Sequence, residues 1–192
     1  MSTKSLTLII TQRGHVMDDI MAILQPFPGL ESCHLFFLHH GVGLVDQNFP
    51  ELPQGQRVYC AFDHENHRGP LPAPANQAGS LATLGQFLHK SEKVACWPNG
   101  TCGPVAGFGI HLDGVPELAQ EGLRIAAGLA GCDLSVALFA ASNRKWKSLA
   151  DLASLNANTM AIMEALIAMN VFQENMPLPD LDHQDSRAII RL

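Results

Sequence analysis

One cysteine of this chain, Cys60, occupies a position typical of a reactive thiol. A short strand-like segment, residues 57–59, leads to it, and histidine, asparagine and arginine side chains follow as far as Arg68. A thiol reacts as its thiolate, and neighbouring cations lower its pKa. The alternative is that Cys60 is a small buried hydrophobic residue, as free cysteines commonly are. The pattern makes Cys60 the first candidate for a nucleophile.

Two adjacent histidines, His39 and His40, follow a second apolar segment, residues 33–38. In an open α/β sheet, ligands bind beyond the carboxyl ends of the strands. If the strands that precede His39 and Cys60 are neighbours, the imidazoles can approach the sulfur. His39 and His40 are therefore candidate residues of the same site.

The segment after the cysteine carries charges of both signs. His64, His67 and Arg68 would supply positive charge and lower the pKa of the thiol. Asp63 and Glu65 oppose this, because a nearby carboxylate raises a thiol pKa. We assign no general acid or base role to these side chains.

A metal site is the competing chemical interpretation. Cys60, His64 and His67 have a spacing that one helical turn could bring together, and His39 or His40 could complete four ligands. Seven of the nine histidines lie in the first half of the chain, which favours this alternative somewhat. We nevertheless predict that the protein holds no metal and no cofactor.

Composition narrows the class of protein. The 192 residues are 47% hydrophobic and 16% charged, which is typical of a packed globular chain. A net charge of −6 without a basic block argues against direct nucleic-acid binding. No apolar run reaches the roughly 18 residues needed to span a bilayer, so we predict no membrane contact.

The cysteines and the first residues indicate the compartment. Five widely spaced cysteines, an odd number, favour free thiols over a disulfide framework. The chain runs from Met1 directly into a strand-like segment, without the pattern of a signal peptide. We expect a cytoplasmic protein.

Strands and helices alternate along the first half. We predict strands at residues 5–10, 33–38, 57–62 and 93–97, helices at 17–24 and 80–89, and a loop at 69–79. This alternation predicts an α/β fold, a parallel sheet sandwiched between helices. The glycine-rich residues 98–109 are typical of a junction, which divides the chain into domains at 1–98 and 99–192.

The second half repeats the alternation less regularly. We predict helices at residues 116–130, 144–153 and 158–169, strands at 133–140 and 187–192, and a loop at 172–186.

Four segments of the first half resemble a known family in order and spacing. They are the opening strand (residues 6–10), Phe36 to Val42, Cys60 running into His67-Arg68-Gly69, and the helix and strand from Gly79 to Trp97. Over about residues 5–98 the chain is similar to the DsrE/DsrF/DsrH-like sulfur-relay proteins, in particular TusD/DsrE-like subunits. Residues 121–140 are similar to the same family, so the second half resembles a degenerate second copy.

The resemblance implies a function. The cysteine that matches Cys60 accepts sulfane sulfur in this family and carries it as a persulfide, which makes the chain a sulfurtransferase-like carrier. His39, His40, His67 and Arg68 would lie in the loops presented to protein donors and acceptors, in a homo- or hetero-oligomer. The family serves sulfur oxidation or tRNA thiolation. The alternative is a non-catalytic binding or assembly module that keeps the fold and uses Cys60 structurally.

Overall fold

The computed structural model describes residues 4–14, 16–46, 52–69, 78–98, 100–140, 146, 148–169, 172, 177–179 and 188–192. The strands are β1 Ser5–Ile10, β2 Ser32–Phe37, β3 Arg57–Cys60, β4 Ala78–Gly79, β5 Lys93–Trp97, β6 Thr101–Pro104, β7 Gly109–Leu112, β8 Ala137–Ala140 and β9 Ile189–Ile190. The helices are α1 Val16–Leu24, α2 Ala61–Arg68, α3 Leu81–Lys90, α4 Pro116–Ala130, α5 Leu149–Ala153 and α6 Ala157–Ala168, with 3₁₀ helices at His39–Leu44 and Val105–Gly107.

The first sheet has six strands in the order β4-β3-β2-β1-β5-β6. All neighbours are parallel except β6, which pairs antiparallel with β5. In a parallel sheet the carboxyl ends of the strands share one edge, so β2 and β3 deliver the residues that follow them to the same place. The predicted α/β class with a mostly parallel sheet is confirmed.

Both faces of this sheet are covered by helices. Leu8 and Ile10 belong to a core that includes Ile20 of α1, whereas Ile9 between them belongs to a core shared with α3 and α4. Successive side chains of a strand point to opposite faces, so a strand buried on both faces has a continuous apolar sequence. This is why β1 ends in three successive apolar residues, Leu8 to Ile10.

Local sequence signals account for the ends of two helices. Ser80 is the N-cap of α3, and its backbone N–H donates to Thr83 Oγ1 at 3.2 Å. Pro116 begins α4, where the missing N–H costs nothing, and Gly131 caps its end. The predicted bounds of α4 are confirmed.

The second sheet is small and parallel, in the order β8-β7-β9. Ile110 of β7 and Leu138 of β8 belong to the same hydrophobic core as Ile9 and the inner faces of α3 and α4. The expected boundary after residue 98 falls between β5 and β6, which pair within one sheet. None of the helices in the described part of the chain is long and apolar enough to cross a bilayer.

The segment after Cys60 differs from the prediction in a way that matters for the site. The predicted strand extends to Phe62, but β3 ends at Cys60 and α2 begins at Ala61. Asp63 in the first turn and His67 and Arg68 in the last turn have the charges that the two helix ends favour. Cys60 is therefore the N-cap residue of a helix that we did not predict.

The glycine-rich junction is also more ordered than predicted. It contains β6, a 3₁₀ turn and the start of β7. At the next strand, Asp133 adopts a positive φ of 59° in a turn, so β8 starts only at Ala137, not at the predicted residue 133. The predictions for residues 144–145, 173–176, 180–187 and most of the loop at 69–79 lie outside the described residues.

Candidate functional site

Cys60 lies at the junction between β3 and α2, at the carboxyl edge of the sheet. It is buried, with 1% of its surface exposed, and it lines a surface pocket of about 600 Å³. The start of α3 and the second half of α4 form the other walls, and Arg124 and Cys132 line the same pocket. The thiol therefore sits in the floor of a cavity large enough for a small substrate or a peptide tip.

Burial, with a smaller contribution from the charge of Asp63, raises the pKa of Cys60 to about 11. The charge of Arg124 acts in the opposite direction and lowers this pKa. The cation near the sulfur thus comes from α4 and not from the segment that follows Cys60 in sequence. At neutral pH the free thiol is protonated.

Asp63 connects three parts of the fold. One carboxylate oxygen, Oδ2, accepts the backbone N–H of His39 at 2.6 Å, and the other, Oδ1, accepts Nη2 of Arg124 at 2.7 Å. Its side chain is almost fully buried. Burial raises the pKa of Asp63 above its ordinary range, against the charge of Arg124. Asp63 therefore ties α2 both to the turn after β2 and to α4.

Arg124 completes this ion pair from the second half of the chain. Its guanidinium also donates to both carboxylate oxygens of Glu121, one turn earlier on α4, through Nε at 2.8 Å and through Nη2. The Cζ atom of Arg124 lies 4.5 Å from the centroid of the Phe62 ring. Burial alone would lower the pKa of Arg124, but Glu121 and Asp63 raise it above its ordinary value. The guanidinium is a permanent positive charge beside Cys60.

Three histidines form a second cluster at the same edge of the sheet. The ring centroids of His39 and His40 are 4.1 Å apart, and that of His67 lies 4.9 Å from His39 and 4.4 Å from His40. Burial, with smaller contributions from His40 and His67, lowers the pKa of His39 to about 4. The structure therefore brings together three of the histidines and arginines that the sequence predicted for this edge.

The other two candidates point elsewhere. His64 is buried against the ring of Tyr59 at 4.9 Å, and its Nδ1 lies 3.3 Å from the carbonyl oxygen of Gly69. Arg68 forms an ion pair with Asp46 at 2.8 Å. Within the described ranges, the alternative metal set of Cys60, His64 and His67 does not assemble.

The histidine cluster lines its own pocket, of about 540 Å³. Gln12 and Arg13, which follow β1, complete the wall together with Leu118 and Leu192. Neither Arg124, Glu121 nor Arg13 was indicated by the sequence pattern. Glu121 and Arg124 show the spacing of an ordinary surface ion pair on a helix, and nothing local indicates their contact with Asp63.

Comparison with protein-family models, with curated proteins and with solved structures found no match to this chain.

The position of Asp63 leads to a test on thiol reactivity. Replacing Asp63 by asparagine removes the carboxylate that raises the pKa of Cys60, and we expect that pKa to fall. A fall of about one unit would speed alkylation of Cys60 about tenfold at pH 8. The rate is measured by mass spectrometry of the Cys60 peptide after timed exposure to iodoacetamide.

Glu65→Gln, an exposed change on the same helix, should leave the rate unchanged. An equal or slower rate in Asp63→Asn would contradict the assigned role of the carboxylate.

Proposed function

We propose that the protein is a sulfur carrier of the DsrE-like type, which accepts sulfane sulfur on Cys60 as a persulfide and passes it to a partner protein. The observation that carries this proposal is the shared pocket of Cys60 and Arg124 at the carboxyl edge of a parallel sheet. Such an edge is where open α/β sheets bind their ligands. Cys60 provides the accepting atom and Arg124 provides the charge.

The transfer needs no external oxidant. The Cys60 thiolate attacks the outer sulfur of a donor persulfide, the sulfur–sulfur bond of the donor breaks, and a new sulfur–sulfur bond forms on Cys60. The donor leaves as a thiolate and takes up the proton that Cys60 has lost. Delivery to an acceptor thiolate is the same exchange in reverse. Cys60 therefore returns to a free thiol after each cycle.

The charges around the sulfur suit a carrier that is silent until a donor arrives. Burial and Asp63 keep the free thiol protonated, which protects it from oxidation and from small electrophiles. A persulfide is more acidic than its parent thiol, so the loaded group carries a negative charge. The Arg124 guanidinium is held beside the pocket by Glu121 and Asp63, where it would stabilise that anion.

The rim of the pocket suits a protein partner. Phe62 is 52% exposed although it is large and apolar, and it stacks against Arg124 at the rim. Aromatic and arginine side chains are enriched in the binding hot spots of protein interfaces. We propose protein donors and acceptors, a cytoplasmic relay in sulfur oxidation or tRNA thiolation, and an oligomeric assembly. The second half would be a degenerate copy of the first.

The proposal is tested by loading the protein with inorganic polysulfide and weighing it intact. We expect wild-type protein to gain the mass of one sulfur atom, with the adduct mapping to Cys60 and removable by dithiothreitol. Cys60→Ser should gain none at that peptide. Cys132→Ser is the matched control, because Cys132 lines the same pocket from the end of α4 and should be dispensable.

Two outcomes would contradict the carrier function. One is an adduct that persists at full yield in Cys60→Ser. The other is an adduct spread evenly over Cys60, Cys102 and Cys132, since the two latter side chains are more exposed than Cys60. Either result would favour a binding module in which Cys60 is structural.

A further inference from the structure

The three-histidine cluster has a composition that neither the sulfur chemistry nor the packing of the core requires. His39, His40 and His67 each offer one ring nitrogen, and these three atoms lie within 4.8 Å of one another. A zinc ion with nitrogen ligands at about 2.0–2.1 Å would hold them about 3.4 Å apart in tetrahedral geometry. Small side-chain rotations of the exposed His40 and the half-buried His67 would close this difference.

The backbone that presents the cluster is strained. His39 has a positive φ of 52°, in the left-handed region that residues other than glycine rarely adopt. This conformation turns the side chains of two successive residues, His39 and His40, toward each other and toward His67. Strain of this kind is concentrated at functional sites. The Asp63 carboxylate holds the turn in place through the His39 backbone N–H.

One ring nitrogen of the cluster lacks an expected partner. His39 is 5% exposed, and its Nδ1 is buried with no hydrogen-bond partner in the described part of the chain. A buried polar atom without a protein partner indicates that an ion or a water molecule can bind there. His39 lines an open pocket together with His40 and His67, so an ion has a route to the cluster.

We propose that His39, His40 and His67 bind one divalent transition-metal ion, with zinc as the best fit. Three imidazoles are suitable ligands for zinc, copper, nickel and iron, and less so for magnesium or calcium. Three protein ligands with a fourth position open to solvent are typical of a catalytic zinc site, whereas structural sites are closed by four. The fourth position faces the pocket that Arg13 borders, where water or a small anion would bind.

This site goes beyond the sulfur relay and does not depend on it, because Cys60 is not one of the ligands. Asp63 links the two sites, because one of its oxygens contacts the His39 backbone and the other contacts Arg124. The histidine site is therefore testable with variants that leave the thiol intact.

The test is a titration of the chelator-treated full chain with zinc ions, in competition with a chromophoric chelator. We expect one equivalent to bind to wild type. Loss of a residue outside the coordination sphere weakens a metal site by about 10–100-fold, so His40→Gln and His67→Gln should each lose about 100-fold or more. Zinc should also raise the Tm of wild type and leave that of His40→Gln unchanged.

Two control variants distinguish this site from zinc binding elsewhere on the chain. His89→Gln changes an exposed histidine on α3, and Cys60→Ser removes the nearby thiol; both should bind zinc as wild type does. Cobalt in place of zinc should show the visible absorption of a four-coordinate site without a thiolate charge-transfer band. The proposal is overturned by a lack of stoichiometric binding, by normal affinity in His40→Gln, or by a loss of affinity in Cys60→Ser. Because His40 is exposed, the His40→Gln variant should fold normally, and a loss of zinc affinity in it would not be due to unfolding.

Discussion

Replacement of Arg124 by methionine is expected to lower the free energy of unfolding by about 3 kcal/mol, which corresponds to a fall in Tm on the order of 10 °C. The physical reason is the buried carboxylate of Asp63, which has 2% of its side chain exposed and loses its cation. Breaking a buried ion pair from one side costs about 3–5 kcal/mol. We take the lower end of that range because Arg124 is itself 22% exposed. Urea unfolding curves of both proteins measure the difference.

The pH dependence of this cost has a definite sign. Burial already raises the pKa of Asp63, and loss of Arg124 raises it further. A carboxyl group whose pKa is raised in the folded state stabilises the fold below its unfolded pKa of about 4 and loses that contribution as the pH rises through the folded value. The loss of unfolding free energy caused by Arg124→Met should thus be greatest at neutral pH, where Asp63 is charged in the unfolded chain. It should become smaller as the pH falls.

A double-mutant cycle provides the control for this prediction. In an Asp63→Asn background there is no buried charge to compensate, so Arg124→Met should cost much less than in wild type. If the cost is the same in both backgrounds, the ion pair does not couple the two halves and the loss has another origin, such as the contact of Arg124 with Phe62.

Replacement of Gly41 by alanine is expected to lower the free energy of unfolding by about 3 kcal/mol or more. An added Cβ would collide with the backbone carbonyl of Ile10, at the end of the central strand β1. Backbone hydrogen bonds hold this turn close, from Leu38 N–H to the Ile10 carbonyl at 2.8 Å and from Gly41 N–H to the Thr11 carbonyl at 3.0 Å. Neither strand end can move away without breaking them. Because Gly41 follows His39 and His40 directly, the change should also disturb the histidine cluster.

Gly131→Ala is the matched control for this prediction. At Gly131, the C-cap of α4, an added Cβ would meet the carbonyl oxygen of Ala127 at an ordinary distance of 3.4 Å, and the backbone is already helical. Alanine should be neutral there or slightly stabilising, by about 0.4–1 kcal/mol, since it restricts the unfolded chain. A Tm for Gly41→Ala as high as that for Gly131→Ala would show that the turn repacks at little cost.

Elements with strong local signals could be predicted from the sequence. The short, mostly apolar segment of β1 identifies that strand, and the proline that begins α4 and the glycine that follows it identify the bounds of the helix. The placement of His39 and Cys60 at one edge of the sheet also follows from local reasoning, because it needs only two neighbouring parallel strands. Each of these predictions uses only the sequence of one strand or helix and the residues next to it.

The rest of the site depends on contacts that no local pattern reveals. Arg124 and Asp63 are 61 positions apart, and they meet because α4, which packs against α3, brings Arg124 to the side chain of Asp63. The helical state of residues 61–68 is likewise decided by tertiary contacts, since its sequence has few apolar residues and resembles a polar loop. The sign of the Cys60 pKa shift followed the same rule: burial and Asp63 outweigh the cations that its neighbours in sequence offered.

Thr11 Oγ1 donates to the carbonyl oxygen of Arg191 at 2.8 Å, and Leu192 lines the pocket of the three histidines. Any residue added after Leu192 would thus begin in the wall of that pocket. A polyhistidine tag at this end would place extra imidazoles beside His39, His40 and His67 and would compete for the same ions. β1 begins at the opposite, amino-terminal edge of the sheet, so a tag at that end would be attached on the side of the sheet away from the pocket. The position of the tag therefore decides whether a metal-binding assay measures the histidines of the protein or those of the tag.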